Sequence, residues 1–313
     1  MVPLDGSPVA ASVVPYAKWF AEKLGIPVAL LSVVPTTETI LRDITPMSTG
    51  DDIAPPSSAY PTVGQAEAIG LELEQEARQT LGKEAATLKG EGISVTTEVA
   101  AGHPAETILA KAEAVPNTLL AIATHGRSGV SRWVLGSVTD KVVRQSSHPV
   151  LVIRGSDSGE GHPSGIESIV ASLDGSDLAE ASLPLVVVLA NALGLPIHLV
   201  RAMSLANLGF GLVADGPVDY ASMYESIESG AREYLTAVAK RLTDEGVATV
   251  EPHLIEESPA DAIIDHVGES GNKLVVMASH SRSGFNRWIL GSVTDRVVRH
   301  SAGPVLVIPS KGT

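Results

Sequence analysis

Residues 123–155 read ATHGRSGVSRWVLGSVTDKVVRQSSHPVLVIRG, and residues 278–310 read ASHSRSGFNRWILGSVTDRVVRHSAGPVLVIPS. The two segments align without a gap and are identical at 22 of 33 positions, so the chain carries an internal repeat. Working outward, Leu4-Asp5-Gly6-Ser7 falls on Leu173-Asp174-Gly175-Ser176, with Pro15 on Pro184, Gly25 on Gly194 and Pro27 on Pro196. The first match has an offset of 155 and the second 169, so the length difference lies in the middle of each copy. It falls after the second strand, where residues 35–61 form a long Pro/Ser/Thr-rich loop and residues 204–217 a shorter one. Residues 155–165, rich in Gly and Ser, read as a linker. The expected domains are therefore 1–154 and 166–309.

Within each copy, short apolar runs alternate with longer segments of helical period. In the second copy, strands are predicted at 166–173, 196–202, 249–255, 273–278 and 304–308, and helices at 178–193, 218–245, 259–270 and 292–301. Apolar strands separated by helices imply a parallel sheet covered on both faces. The expected fold is α/β: two tandem doubly wound domains, each a five-stranded parallel sheet flanked by helices. Ligands of such sheets bind beyond the carboxyl ends of the strands, at the switch point. The first strand of the first copy looks clipped to residues 1–4, as if the true start lay upstream.

Bulk composition narrows the function. A length of 313 residues suits two domains, and 44% hydrophobic with 19% charged residues describes a globular chain. A net charge of −14 repels nucleic acid and anionic membranes, so neither is an expected partner. There is no cysteine, which removes disulfides, thiolate catalysis and Cys-ligated zinc. The N-terminus lacks the pattern of a secretory signal, and the longest apolar stretch, 183–190, falls far short of the ~20 residues of a membrane helix. A soluble, cytoplasmic protein is expected.

The chemistry concentrates in residues 123–144. Gly136-Ser137 opens a helix, and a helix N-terminus offers unpaired N–H groups and partial positive charge to a phosphate. Gly126 and Gly136 permit close backbone approach and positive φ. Arg127, Arg132, Lys141 and Arg144 oppose one acid, Asp140, and Arg282, Arg287, Arg296 and Arg299 oppose Asp295 in the second copy. In so acidic a chain, that local reversal points to an anion. Two plainer readings stay open: Ser137 with Asp140, and Ser292 with Asp295, also fit capping boxes, and Asp5 and Asp174 also fit helix starts. His125 and His280 lack a second ligand at metal spacing, so no metal is expected there, and Trp133 and Trp288 read as packing anchors.

The loop resembles that of the ATP-binding universal stress proteins: G-x-x-G, nine residues, G-[ST], a V-T-[DE] helix start and a final P-V-L-V-[IV] strand. The first copy matches with Ala123 for the first glycine. The second has Ala278 there and Ser281 for the next glycine, while Gly291-Ser292 is intact. The resemblance covers nearly the whole chain, twice. It implies an adenine nucleotide alpha hydrolase-like fold and ATP, with or without Mg2+, as the ligand. In the first copy the implied binding residues are Pro3, Asp5, Val33, Ala123, Gly126, Arg127, Gly136, Ser137, Val138 and Thr139. In the second they are Ser172, Asp174, Ala202, Ala278, Ser281, Arg282, Gly291, Ser292, Val293 and Thr294. Ser281, where the family has glycine, implies weaker binding by the second copy, and the departures at Ala123, Ala278 and Ser281 keep a nucleotide-free scaffold open, above all for the second copy. The resemblance also implies that the final strands pair, giving an internal pseudo-dimer, with further homodimerisation open.

Competing motifs are absent or misplaced. There is no G-x-x-x-x-G-K-[ST], and Gly209-Phe210-Gly211-Leu212-Val213-Ala214 is followed by Asp215-Gly216-Pro217 instead of a helix. Three readings follow: an ATP-responsive regulatory module, a slow ATP-hydrolysing enzyme, and a nucleotide-free scaffold. The loop offers no evident general base or nucleophile, which favours the first over the second.

Overall fold

The same Asp-Gly-Ser turn leaves the first strand of both copies, because glycine takes a positive φ there without strain: Gly6 at +83° and Gly175 at +90°. The computed structural model describes residues 1–44, 62–124, 135–155, 165–203, 220–268, 271–279 and 290–309. In the first copy the elements are β1 (Val2–Pro3), α1 (Pro8–Ala11), α2 (Val14–Leu24), β2 (Val28–Val34), α3 (Thr37–Ile44), α4 (Val63–Gly90), β3 (Val95–Ala101), α5 (Pro104–Glu113), β4 (Leu120–Thr124), α6 (Ser137–Gln145) and β5 (Val150–Arg154). The second copy has β6 (Ser168–Ser172), α7 (Asp177–Glu180), α8 (Leu183–Leu193), β7 (Ile197–Ala202), α9 (Tyr220–Asp244), β8 (Val250–Ile255), α10 (Pro259–Val267), β9 (Lys273–Ser279), α11 (Ser292–His300) and β10 (Val305–Pro309).

Strands β10-β9-β6-β7-β8 form the expected five-stranded parallel array of the second copy. In the first copy the equivalent sheet is interrupted. The two-residue β1 pairs with β2, which pairs with β3, while β4-β5 belong to the neighbouring seven-stranded sheet. The seam is held by the Ala121 N–H donating to the Met1 carbonyl at 3.0 Å.

Two elements depart from the sequence reading. The single helix expected at 178–193 is two, α7 and α8, because Pro184 in the first turn of α8 lacks the N–H that would continue the helix. Pro15 does the same between α1 and α2. The long loop also contains a helix, α3, whose Thr36 hydroxyl accepts from the Thr39 N–H at 3.2 Å and whose Ile40 is 5% exposed.

One apolar layer packs the α2, α4, α8 and α9 side of the sheets and the other the α5, α6, α10 and α11 side. The first layer runs across both copies, since β5 and β10 pair antiparallel, with Val150 opposite Val307, Leu151 opposite Leu306 and Val152 opposite Val305. Leu151 and Leu306 are equivalent in the repeat, so the local two-fold passes through that pair. Over the seam Arg144 donates to Asp295 at 2.9 Å, and Arg299 lies 3.6 Å from Asp140. Burial opposes ionisation of Asp295, but its bonds to Arg299 and Arg144 outweigh it and hold the carboxyl below its ordinary value. Among the described residues no helix is long and apolar enough to cross a membrane.

Candidate functional site

A cleft of ≈ 190 Å³ opens at the carboxyl ends of β1, β2 and β4. It gathers Pro3, Asp5, Val33, Ala123, Gly136, Ser137, Val138 and Thr139 from the first copy. Gly126 and Arg127, together with His125 and Trp133, lie outside the described residues. The second copy has a counterpart of ≈ 160 Å³ that brings together Ser172, Asp174, Ala202, Ala278, Val293 and Thr294. Gly291 and Ser292 precede its lining, and Ser281, Arg282, His280 and Trp288 fall outside the described residues.

The helix start differs from the capping-box reading. The N-cap residues of α6 and α11 are Gly136 and Gly291, and neither helix has a side-chain cap among the described residues. Ser137 and Ser292 are already inside the helix. Asp140 does not reach back to the cap, because Arg144 binds both its oxygens at 2.9 Å; Arg299 likewise binds Asp295 at 2.7 and 3.1 Å. The first-turn amides of α6 thus face the cleft without an internal partner from a capping side chain. The expectation of positive φ at Gly136 is also corrected: Gly136 sits at −58° and Gly291 at −57°, angles open to any residue.

Thr139 is anchored rather than free. It is 3% exposed, and its hydroxyl donates to the Ala123 carbonyl at 2.9 Å, tying α6 to the end of β4. Thr294 repeats the contact with Ala278 at 3.5 Å. The aspartates are not helix caps either. Asp5 Oδ1 accepts from the Ser7 N–H at 2.9 Å and the Ser7 hydroxyl at 2.6 Å, while Ser7 itself caps α1. Asp174 and Ser176 reproduce this turn ahead of α7. One carboxylate oxygen shapes the turn, and the carboxylate is thereby held at the mouth of the cleft.

The two copies diverge on the other side of that turn. Beside Asp5 and Gly6 a second, more polar cleft of ≈ 570 Å³ is walled by Ser32, Pro35, Glu76 and Thr80. In the repeat, Ser32 corresponds to Arg201. Thr80, just ahead of the buried Leu81, corresponds to Tyr234, just ahead of the buried Leu235. The Arg201 guanidinium lies over the Tyr234 ring at 5.0 Å and against the Gly175 turn, 3.4 Å from where a side chain there would begin. Tyr234 donates to Glu180 at 2.8 Å and Arg241 donates to the same carboxylate at 2.7 Å. The Arg241 bond is the main reason that Glu180 is held below its ordinary value, while burial and then Glu180 raise the Tyr234 phenol. The equivalents of Glu180 and Arg241 in the first copy are Ala11 and Thr87. Sequence reasoning missed this network because its four residues lie on three separate elements, α7, β7 and α9; the pairwise swap of small residues for charged and aromatic ones was the available signal.

The universal stress protein family model matches residues 1–154 and again 165–309. A universal stress protein of Mycobacterium tuberculosis is 26% identical over 278 residues, covering 87% of this chain and 89% of that protein. A second from the same organism is 24% identical over 318 residues, covering 98% and 93%. The crystal structure of a universal stress protein from Archaeoglobus fulgidus superposes with a TM-score of 0.69 at 21% identity, covering 98% of this chain and 97% of that one.

Proposed function

The chain belongs to the universal stress protein family, and from that premise we propose that it is a stress-response module that binds ATP, foremost in its first copy. The observation that carries this reading is the convergence, in one cleft, of the uncapped first turn of α6 with the carboxylate of Asp5. The amides of Ser137, Val138 and Thr139 suit phosphate oxygens, and the carboxylate of Asp5 suits the hydroxyls of a ribose. The apolar walls Leu31, Val33 and Ile122 suit a base.

Binding is favoured over turnover for a definite reason. Among the described residues lining the first cleft, Asp5 is the only ionisable side chain, and Asp174 is the only one in the second. Each of these carboxylates is held by the N–H and hydroxyl of its own serine turn, and among the described residues no second titratable group lines either cleft to pair with it as general acid or base. The signal would then leave the protein through a change of shape or through a partner.

Nucleotide released by heating natively purified protein, identified by mass spectrometry, tests this directly. Adenine nucleotide near one per chain is expected, with calorimetric binding of added ATP to the emptied protein. Protein that neither retains adenine nucleotide nor takes up ATP would refute the assignment.

The β5–β10 pairing supports a second element of the proposal, an internal pseudo-dimer of units 1–154 and 166–309. Opposed Cα atoms in such a pair lie ~4.5–5.5 Å apart, within disulfide reach. Leu151→Cys with Leu306→Cys should therefore crosslink within one chain, at a rate independent of protein concentration. Products that form only between chains would reject the arrangement.

A further inference from the structure

Three histidines of the second copy meet at the far end of α10 from the cleft. His198 is the second residue of β7, His253 lies in β8, and His266 is in the last turn of α10. Their ring centroids stand 4.6 to 5.0 Å apart, and each ring offers a nitrogen within 4.8 Å of the others. His198 Nδ1 and His266 Nε2 share a hydrogen bond of 2.8 Å. The Glu251 carboxylate lies 3.7 Å from His198 Nε2 and 3.5 Å from His253 Nε2. That second contact is too long for a good hydrogen bond, and His253 Nε2 is buried with no partner.

We propose that His198, His253 and His266, with Glu251 as a fourth donor, bind one divalent cation of the zinc type, in the second copy only. Imidazole nitrogen with one carboxylate is a donor set suited to zinc, and four such donors complete a tetrahedral shell. Bound donors would stand ~3.3 Å apart, as follows from Zn–N distances of ~2.0–2.1 Å. The separations present are close enough for small ring rotations to reach that geometry. The charged groups facing the cluster are Glu251, which favours a cation, and Lys273, which opposes it while its ammonium donates to the His266 carbonyl.

The first copy shows that a link between helix and sheet does not itself require histidines. In the repeat, His198, His253 and His266 fall on Ala29, Glu98 and Lys111. Lys111 and Glu98 form an ion pair that joins α5 to β3 in the same place. The histidine set therefore replaces an ordinary salt bridge with a donor cluster that leaves a nitrogen unpaired. It is also separate from the cleft: His198 stands four residues before Ala202, roughly 13 Å along an extended strand. A bound ion would join β7, β8 and α10, whose first residue, Pro259, lines that cleft.

The test uses the full chain, stripped with a chelator and dialysed against zinc chloride alone. Metal is counted per chain and thermal unfolding is followed in parallel. One tightly held zinc is expected, with a rise in Tm that grows with free zinc. His253→Gln should weaken binding by more than the ~10–100-fold that loss of an outer-shell partner costs. The triple variant His198→Ala, His253→Glu and His266→Lys installs the first copy's ion pair. It should keep the wild-type circular dichroism while losing both the zinc and the zinc-dependent Tm rise. Undiminished zinc binding by either variant, or no zinc held by the wild-type chain at micromolar concentration, would overturn the assignment.

Discussion

The two carboxyl-end clefts are built on equivalent strands and the same Asp-Gly-Ser turn, yet they are walled differently. The first cleft, ≈ 190 Å³, adjoins a further ≈ 570 Å³ of open groove lined by Ser32 and Thr80. In the second copy those two positions carry Arg201 and Tyr234, stacked on each other and tied through Glu180 to Arg241. The turn is common to both copies, so the difference between them lies in the space beside it, open at Ser32 and Thr80 in the first and occupied by Arg201 and Tyr234 in the second.

The largest effect expected is one that should not distinguish the copies. Leu151 and Leu306 oppose each other at the seam and are 0% and 1% exposed. Leu151→Ala and Leu306→Ala should each cost ~2–5 kcal/mol in stability by denaturant unfolding, the range for buried leucine. A large loss for one and none for the other would show that the seam is not symmetric in energy.

The next effect should separate the copies sharply. Asp5→Ala should lower ATP affinity by about 10–100-fold, the equivalent of losing a hydrogen bond to a charged group. Asp174→Ala should change total ATP binding far less under the proposal that the first cleft is the main ATP site. Equal losses in calorimetric titrations would mean that the clefts are equivalent and that Arg201 and Tyr234 do not restrict the second.

Exchange of the wall residues is a finer test. Ser32→Arg with Thr80→Tyr should narrow the first groove and weaken ATP binding by about tenfold, roughly 1.4 kcal/mol. Arg201→Ser with Tyr234→Thr should strengthen binding at the second cleft. If neither pair moves the affinities, the groove beside the turn takes no part in binding.

The smallest effect concerns the acid limb of the second copy's network. Glu180 is held below its ordinary value, chiefly by its bond from Arg241. Its contribution is thus fully present at neutral pH and lost as pH falls through its depressed folded value. For a partly exposed pair, ~0.5–1 kcal/mol is expected. Glu180→Ala should show that loss at pH 7 and none at a pH where the carboxylate is protonated in both states, measured by urea unfolding at matched salt. A loss independent of pH would assign the effect to packing.

Much of this was legible in the chain. The gapless repeat and the alternation of strand and helix determine the architecture, and the residues singled out at strand ends and at the α6 start, Asp5, Val33, Ala123 and Gly136 among them, line one cleft. Local signals were read less well. Ser137 followed by Asp140 has the spacing of a capping box, but Arg144 lies one turn further on and takes the carboxylate. The α3 helix was obscured by its setting in a Pro/Ser/Thr-rich stretch. The histidine cluster was not legible at all, since His198 and His266 are 68 residues apart and meet only because β7 lies beneath α10.

Pairing β5 with β10 inside one chain has a consequence for variation. In an assembly of two identical chains, every substitution appears at both sites, so a change that closes one cleft closes both. Here the halves are encoded separately, and a change is written once. Arg201, Tyr234 and the three histidines each occur on one side of the two-fold while Ser32, Thr80, Ala29, Glu98 and Lys111 stand on the other. Fusion across the seam thus relieves each half of the obligation to match its neighbour, and equivalent positions of the two halves can carry different chemistry.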